Sequence, residues 1–385
     1  MSTWQELLKH RSITSLEALA ERFGPEHFPV ELHERLRQAI DNFEFRISPP
    51  MVDLIKSPDD PIWRQYIPTV QELEIHDGIV DSLSEDRDSP VPNITHRYPD
   101  RALFLVSPVC ASYCRFCTRR RKVGDPEKIP MTQFESAFQY LEAHTEIRDI
   151  IMSGGDPLML SDRRLEAILT RLRAIPHLEI IRIGSRVPCH LPERITPELC
   201  DVLRKFHPLF LNTHFNHPDE LTPQAVTGLG MLADAGIPLG CQTVLLKGVN
   251  DTPAVMVRLM QRLLMARVRP YYIYMADQVA GGEHFRTSVA TGLEIMKALR
   301  GWTSGLANPH FVIDAPGGGG KVPLLPEYVE SFTEDEVVLR NFKGERYVYV
   351  QPGQAAPTAG LATVVTPPAP RAVPAPVVTR QSGQP

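Results

Sequence analysis

The chain has 385 residues, of which 43% are hydrophobic, and 41 basic against 46 acidic side chains leave a formal net charge of −5. This is the composition of a globular protein with a sizeable core, and the slightly acidic balance argues against a protein that grips nucleic-acid backbone. No apolar run approaches the ~20 residues of a membrane span, and the polar start MSTWQELLKHRSIT is not a secretory signal, so a cytoplasmic protein with no membrane or nucleic-acid partner is expected.

Residues 1–95 read as a helical N-terminal region. Apolar residues recur at helical spacing over 16–23 and 30–43, residues 57–61 are turn-rich, and DRDSPVP (86–92) reads as a linker. From about His96 the pattern alternates. Strands are expected over 103–107, 149–152, 178–183, 209–213, 239–246, 271–274 and 311–314. Helices are expected over 131–144, 162–175, 196–206, 223–235, 253–266 and 290–300. Strands recurring between helices of this length imply βαβ units and a parallel sheet. The fold class is therefore α/β, a full or partial (β/α) barrel over residues 96–330, with chemistry at the carboxyl ends of the strands. Residues 331–350 form a C-terminal extension. From Gln351 onward eight prolines and many alanines accompany almost no charge, so residues 351–385 are expected to be a disordered tail.

Three of the six cysteines, Cys110, Cys114 and Cys117, lie within eight residues, just after the first strand of the alternating region. Three thiolates at C-x3-C-x2-C spacing can hold three corners of an iron–sulfur cubane and leave one iron free. A structural zinc site wants four closed ligands, usually from a second cysteine pair, and no second pair exists here. Ser153-Gly154-Gly155-Asp156 ends another strand. Its glycines allow close backbone approach to a ligand, and Asp156 could accept a hydrogen bond from an ammonium group. Pro316 to Gly320 followed by Lys321 looks at first like a phosphate loop. That pattern, however, needs a hydroxyl residue and a helix after the lysine, and Val322-Pro323 follows instead. A lysine on a flexible glycine loop suits an internal Schiff base with pyridoxal phosphate.

The cysteine loop, with Phe116 before its third cysteine, resembles the radical S-adenosylmethionine superfamily. The segments THRYPDRALFLVSPVCASYCRFCTRRR, SGGDPL, RIGSR, NTHFNHP, KGVND, RPYYIY, EHFRT and DAPGGGGK, in that order, resemble the lysine 2,3-aminomutase family. The resemblance runs from about Pro61 to Val350. It implies a radical enzyme with a [4Fe-4S] cluster on Cys110, Cys114 and Cys117, S-adenosylmethionine, and pyridoxal 5′-phosphate on Lys321. Ser153, Gly154, Gly155, Asp156, His214 and Gln242 become candidate S-adenosylmethionine contacts. Arg97, Tyr98, Arg101 and Arg186 are candidates around pyridoxal phosphate, because arginine forks match phosphate geometry.

By the same resemblance Arg119 takes the substrate α-carboxylate, and Asp277 and Asp314 face a cationic side chain, since a buried ammonium needs counter-charge. The expected reaction is 2,3-amino migration on L-lysine. The same chemistry on arginine, or in the branch that makes β-lysine for translation-factor modification, is the alternative; two acids would repel glutamate. The expected partners are a small amino-acid substrate, an electron donor such as flavodoxin or ferredoxin, and other copies of the chain in a homo-oligomer. No cysteine follows Cys241, so no zinc is expected, and the family's zinc-supported subunit contacts are put in question.

Overall fold

A computed structural model describes residues 3–74 and 77–352. The chain divides into two units, one ending at Pro326 and one beginning at Glu327; the expected tail lies outside the described residues from Gly353 on.

The N-terminal region consists of short capped helices: α1 (Trp4–Arg11), α2 (Leu16–Phe23), α3 (His33–Asn42), α4 (Pro49–Leu54) and α5 (Pro61–Tyr66). Thr3 and Glu6 form a capping box on α1, Ser15 caps α2, and the Asp60 carboxylate accepts two amides at the start of α5, each such cap contributing about 1 kcal/mol. The single helix expected over 30–43 is a 3-10 turn, Val30–Leu32, leading into α3.

Two antiparallel strands, β1 (Ile94–Tyr98) and β2 (Arg101–Ser107), open the barrel. The remaining elements follow in alternation: α6 (Phe134–Ala143), β3 (Asp149–Gly154), α7 (Asp162–Arg173), β4 (Ile180–Gly184), the short α8 (Val187–His190), α9 (Pro197–Leu203), β5 (Leu209–His214), α10 (Pro223–Asp234), β6 (Leu239–Leu245), α11 (Pro253–Met265), β7 (Arg269–Met275), α12 (Val289–Leu299) and β8 (His310–Ala315). β2 through β8 are parallel neighbours in chain order, and β9 (Gly320–Leu324) returns antiparallel to β8. β1 and β9 are the edges of this nine-stranded, nearly closed sheet. The Tyr98 hydroxyl spans them, accepting the Lys321 backbone N–H at 3.1 Å.

Residue type alternates along the strands and decides which face is covered. Ile150, Met152, Ile181, Ile183, Leu209 and Leu211 are buried on the outer, helix-covered face. Burying each stabilises the fold by roughly 1.5–3 kcal/mol. The alternate positions, among them Ser153, Arg182, Gly184, Asn212, Gly240 and Gln242, line an interior cavity of about 680 Å³. Polar and small residues inside leave a chamber where a filled barrel would stack branched apolar layers.

One expectation about this region is corrected. Lys321 is not on a flexible glycine loop. The glycines make the turn, and Lys321 is the second residue of β9, directly opposite Asp314 of β8. Gly320 precedes it at φ +82°, where a Cβ would press to 3.2 Å from the Tyr98 hydroxyl; glycine permits both the backbone angle and the approach.

The second unit carries a three-stranded antiparallel sheet, β10 (Val329–Phe332), β11 (Glu336–Arg340) and β12 (Arg346–Val350). Arg340 and Arg346 both bond Glu330 across it. No described helix is long and apolar enough to cross a membrane.

Candidate active site

Beyond β2 the chain turns sharply through the cysteines, with the Cys117 amide on the Cys114 carbonyl at 3.0 Å. The N-terminal helices pin this loop. Arg115, between the second and third cysteines, is wholly buried. Its guanidinium donates to the carbonyls of Ala39, Phe43 and Glu44 and makes two bonds of 2.9 and 2.7 Å to Glu72, which also accepts from Arg120 at 2.7 Å. Burial pushes the Glu72 carboxyl upward, but Arg115 and Arg120 outweigh it and hold the group below its usual range.

Burial drives the Cys110 thiol well above its ordinary range and Cys117 up to about 11; it also raises Cys114, against the pull of Arg186. Burial thus disfavours each free thiolate, and a metal bound here would take the place of the thiol protons. Three soft donors on one short, anchored loop fit an iron–sulfur cluster.

The SGGD turn packs behind this loop. Gly154 has φ +130°, and a Cβ on it would lie 2.3 Å from the Ser107 carbonyl oxygen. The amides of Gly155 and Asp156 donate to the carbonyls of Ser107 (2.6 Å) and Val109 (2.8 Å). The glycines thus let β3 close on the stem of the cysteine loop. The Asp156 carboxylate is also taken. It accepts from the amides of Leu158 (3.0 Å), Arg186 (2.7 Å) and Val187 (3.1 Å) and from the Ser185 hydroxyl (2.7 Å), so it fixes the turn after β4 and has no place for an ammonium group.

Arg186 is a further correction. It does not stand with the phosphate candidates; its guanidinium is buried beside Cys114, 2.8 Å from the sulfur, and bonds Gln65 and Glu220. His214, at the end of β5, lies edge-on to Phe116 of the loop, and its ring bonds Asn216.

Most of the other candidates converge on the interior cavity, though Asp277 is not among its lining residues. Arg97, Tyr98, Arg101, Arg119, Ser153, Gln242, Asp314 and Lys321 all line it, with Tyr271, Tyr272 and Tyr274. The Lys321 ammonium is 3.1 Å from Asp314 and 5.3 Å from the centre of the Tyr274 ring. Arg97 is bound to Asp88 at 2.8 Å, whereas Arg101 is more exposed and lies over the Tyr98 ring at 4.2 Å. Arg119 is held by Glu85, with contacts from 2.7 Å, and reaches the Ser153 hydroxyl at 3.2 Å. Asp277, just past β7, is pushed up to about 7 by burial and by the charge of Asp314, with Lys321 opposing. An amine, aromatic walls and several cations in one chamber fit pyridoxal phosphate.

Residues 104–260 match the radical SAM superfamily, and residues 296–367 match the family described as lysine-2,3-aminomutase. An L-lysine 2,3-aminomutase of Fusobacterium nucleatum is 52% identical over 91% of this chain and 82% of its own length. The chain belongs to the lysine 2,3-aminomutase family. Another L-lysine 2,3-aminomutase, from Clostridium subterminale, is 51% identical over 84% of this chain and 78% of its own. A glutamate 2,3-aminomutase of Clostridioides difficile is 45% identical over 81% and 75%. Membership of the radical SAM superfamily implies a [4Fe-4S] cluster and S-adenosylmethionine, and the cysteine loop supplies the donor set such a cluster needs.

Within this lysine 2,3-aminomutase family member, sequence reasoning missed Glu72, Glu85 and Glu220. Glu72 and Glu220 each occupy the third position of a capping box, after Thr69 and His217. The T-x-x-E spacing at Glu72 was readable, but it marks a helix start and not an arginine partner, and Glu220 follows a histidine, which is not a usual cap. Glu85 carries no spacing signal.

Proposed function

We propose that this protein moves the 2-amino group of L-lysine to carbon 3, giving β-lysine (3,6-diaminohexanoate). The observation that carries this reading is the acidic end of the chamber, where Asp314 holds the Lys321 ammonium at 3.1 Å and Asp277 is electrostatically linked to both. With pyridoxal phosphate held by Lys321, that side chain would no longer supply Asp314 with its counter-charge. The terminal ammonium of lysine restores it; the carboxylate of glutamate would add a further negative charge to two acids that already oppose each other.

The remaining roles complete the reading. Cys110, Cys114 and Cys117 hold the cluster; Ser153, Gln242 and His214 flank S-adenosylmethionine, with Gly154, Gly155 and Asp156 shaping the turn beneath. Lys321 anchors pyridoxal phosphate, and Arg97, Tyr98 and Arg101 surround it, with Arg101 the most exposed of the cations. Arg119, steadied by Glu85 and turned toward Ser153, orients the substrate α-carboxylate. When bound, the cluster and S-adenosylmethionine supply a 5′-deoxyadenosyl radical for hydrogen abstraction, and pyridoxal phosphate makes the migrating nitrogen able to accept a carbon radical. The barrel walls exclude water from that radical, and the two acids and Arg119 fix the substrate at both ends. A flavodoxin- or ferredoxin-type donor, a cytoplasmic setting and a homo-oligomer complete the reading.

Anaerobic incubation of the reconstituted protein with labelled lysine, arginine and glutamate tests it. β-Lysine as the main product supports the assignment. Faster turnover of arginine would keep the acids and change the substrate; faster turnover of glutamate would remove both.

A further inference from the structure

We infer that Arg186 is a positioning residue for the iron–sulfur cluster, holding the Cys114 sulfur and raising the cluster's reduction potential. This rests on the reading of Cys110, Cys114 and Cys117 as cluster ligands.

The guanidinium is held on every side. Its Nη1 donates to the Cys114 sulfur at 2.8 Å, Nη2 to Gln65 Oε1 at 2.7 Å and to Glu220 Oε1 at 3.0 Å, and Nε to the His214 carbonyl at 3.3 Å. The rings of Tyr66 and Phe116 each lie 5.4 Å away. Its backbone is fixed as well, because the Arg186 amide donates to Asp156 at 2.7 Å. Among the described residues it is the one side chain that donates to a sulfur of the loop.

Neutralising Glu220 does not by itself explain this geometry. Glu220 is fully buried, but it already accepts from the amides of Asn216 (2.6 Å) and His217 (3.1 Å) and from Gln65 (2.9 Å). Arg186 gives it one bond and directs its other arm at sulfur. A planar fork divided between a carboxylate and a ligating sulfur suits arginine. Reduction adds one negative charge to the cluster. A fixed cation and a hydrogen bond on a ligating sulfur stabilise the reduced form more than the oxidised form, which raises the potential. Glu220 opposes the effect by sharing the same cation.

The test compares wild type, Arg186→Gln, Arg186→Lys and Glu220→Gln after anaerobic reconstitution, without S-adenosylmethionine. Iron per chain and the EPR-monitored potential are read, so catalysis is not involved. In Arg186→Gln the ratio of reduced to oxidised cluster at fixed potential should fall at least about tenfold, equivalent to about 59 mV for one electron. Arg186→Lys should recover much of this, and Glu220→Gln should shift the potential the opposite way. Coincident potentials in Arg186→Gln and wild type, or shifts of the same sign in Arg186→Gln and Glu220→Gln, would overturn the inference. If Arg186→Gln does not load iron, Glu220→Gln decides alone: a rise supports the inference and a fall or no change overturns it. A wild type that holds no cluster would instead sink the radical reading itself.

Discussion

The two ends of the candidate site balance charge differently. Around the cysteine loop the buried cations have fixed acids: Arg115 and Arg120 share Glu72, and Arg186 is set against Glu220. These groups are deeply buried, and their polar contacts are closed without any ligand. At the Lys321 end, Asp314 lines the chamber and Asp277 lies near enough to feel both its charge and that of Lys321. Asp314 takes the ammonium, and Asp277 is left raised to about 7. The first arrangement holds three sulfurs in place and is complete before substrate arrives. In the proposed reading the second is completed by a cation of the substrate.

The comparison can be broken most sharply at the cysteines. Cys114→Ala should lose the cluster and all aminomutase activity, measured as iron per chain and product formed; full activity in this variant would falsify the radical reading. Lys321→Ala should be inactive by the opposite route, with iron content unchanged and no cofactor fixed to the chain by borohydride. If cofactor is still fixed, another lysine holds it.

The next effect is on stability. Glu72→Gln leaves Arg115 and Arg120 buried without their anion, and breaking a buried pair in this way costs about 3–5 kcal/mol. Urea denaturation should show it, and a midpoint equal to wild type would mean that the loop is not held by this pair.

At the chamber end Asp277→Asn should have a smaller and different effect. It should lower kcat/KM for lysine about tenfold, from loss of a charge-assisted contact worth roughly 1.5–3 kcal/mol, and reduce the preference for lysine over norleucine. An unchanged preference would remove Asp277 from the side-chain pocket.

A separate effect concerns pH. Asp277 keeps its proton to about pH 7 in the folded chain, against 3.8 as its ordinary value. Between those limits the native state binds more protons than the unfolded state, so this group lowers stability as pH rises from about 4 to 7 and leaves it level above. Asp277→Asn lacks that slope. Its denaturation midpoint relative to wild type should therefore climb across that window and then hold constant; a gap that does not change with pH would mean that Asp277 is not raised.

Much of the fold could be read from residue order. Seven of the nine barrel strands and the main helices fell near their expected positions, because alternation and helical spacing are local properties. β1 and β9 were not expected. β1 follows Pro92 and Asn93, and β9 begins at the last of four glycines, which mark turns whatever comes next. The short strands β10 to β12 were read only as an extension.

The site divided along the same line. Chain spacing alone put Cys110, Cys114 and Cys117 on one loop, and the glycine run before Lys321 marked it as unusual. Those features need only a few consecutive residues. Partner choice needs the closed sheet. Asp156 is filled by four donors, three of them from the turn after β4, some thirty residues on. Arg119 meets Glu85, 34 residues earlier, and Arg186 meets Cys114 across 72 residues. The sequence by itself determined which chemical groups the protein owns and which face of each strand they occupy, because side-chain period and motif spacing are set by the backbone. Only the tertiary structure decided which charges are neutralised and which are left waiting for a ligand. Electrostatic pairing depends on distance through space and on burial, and neither is written along the chain.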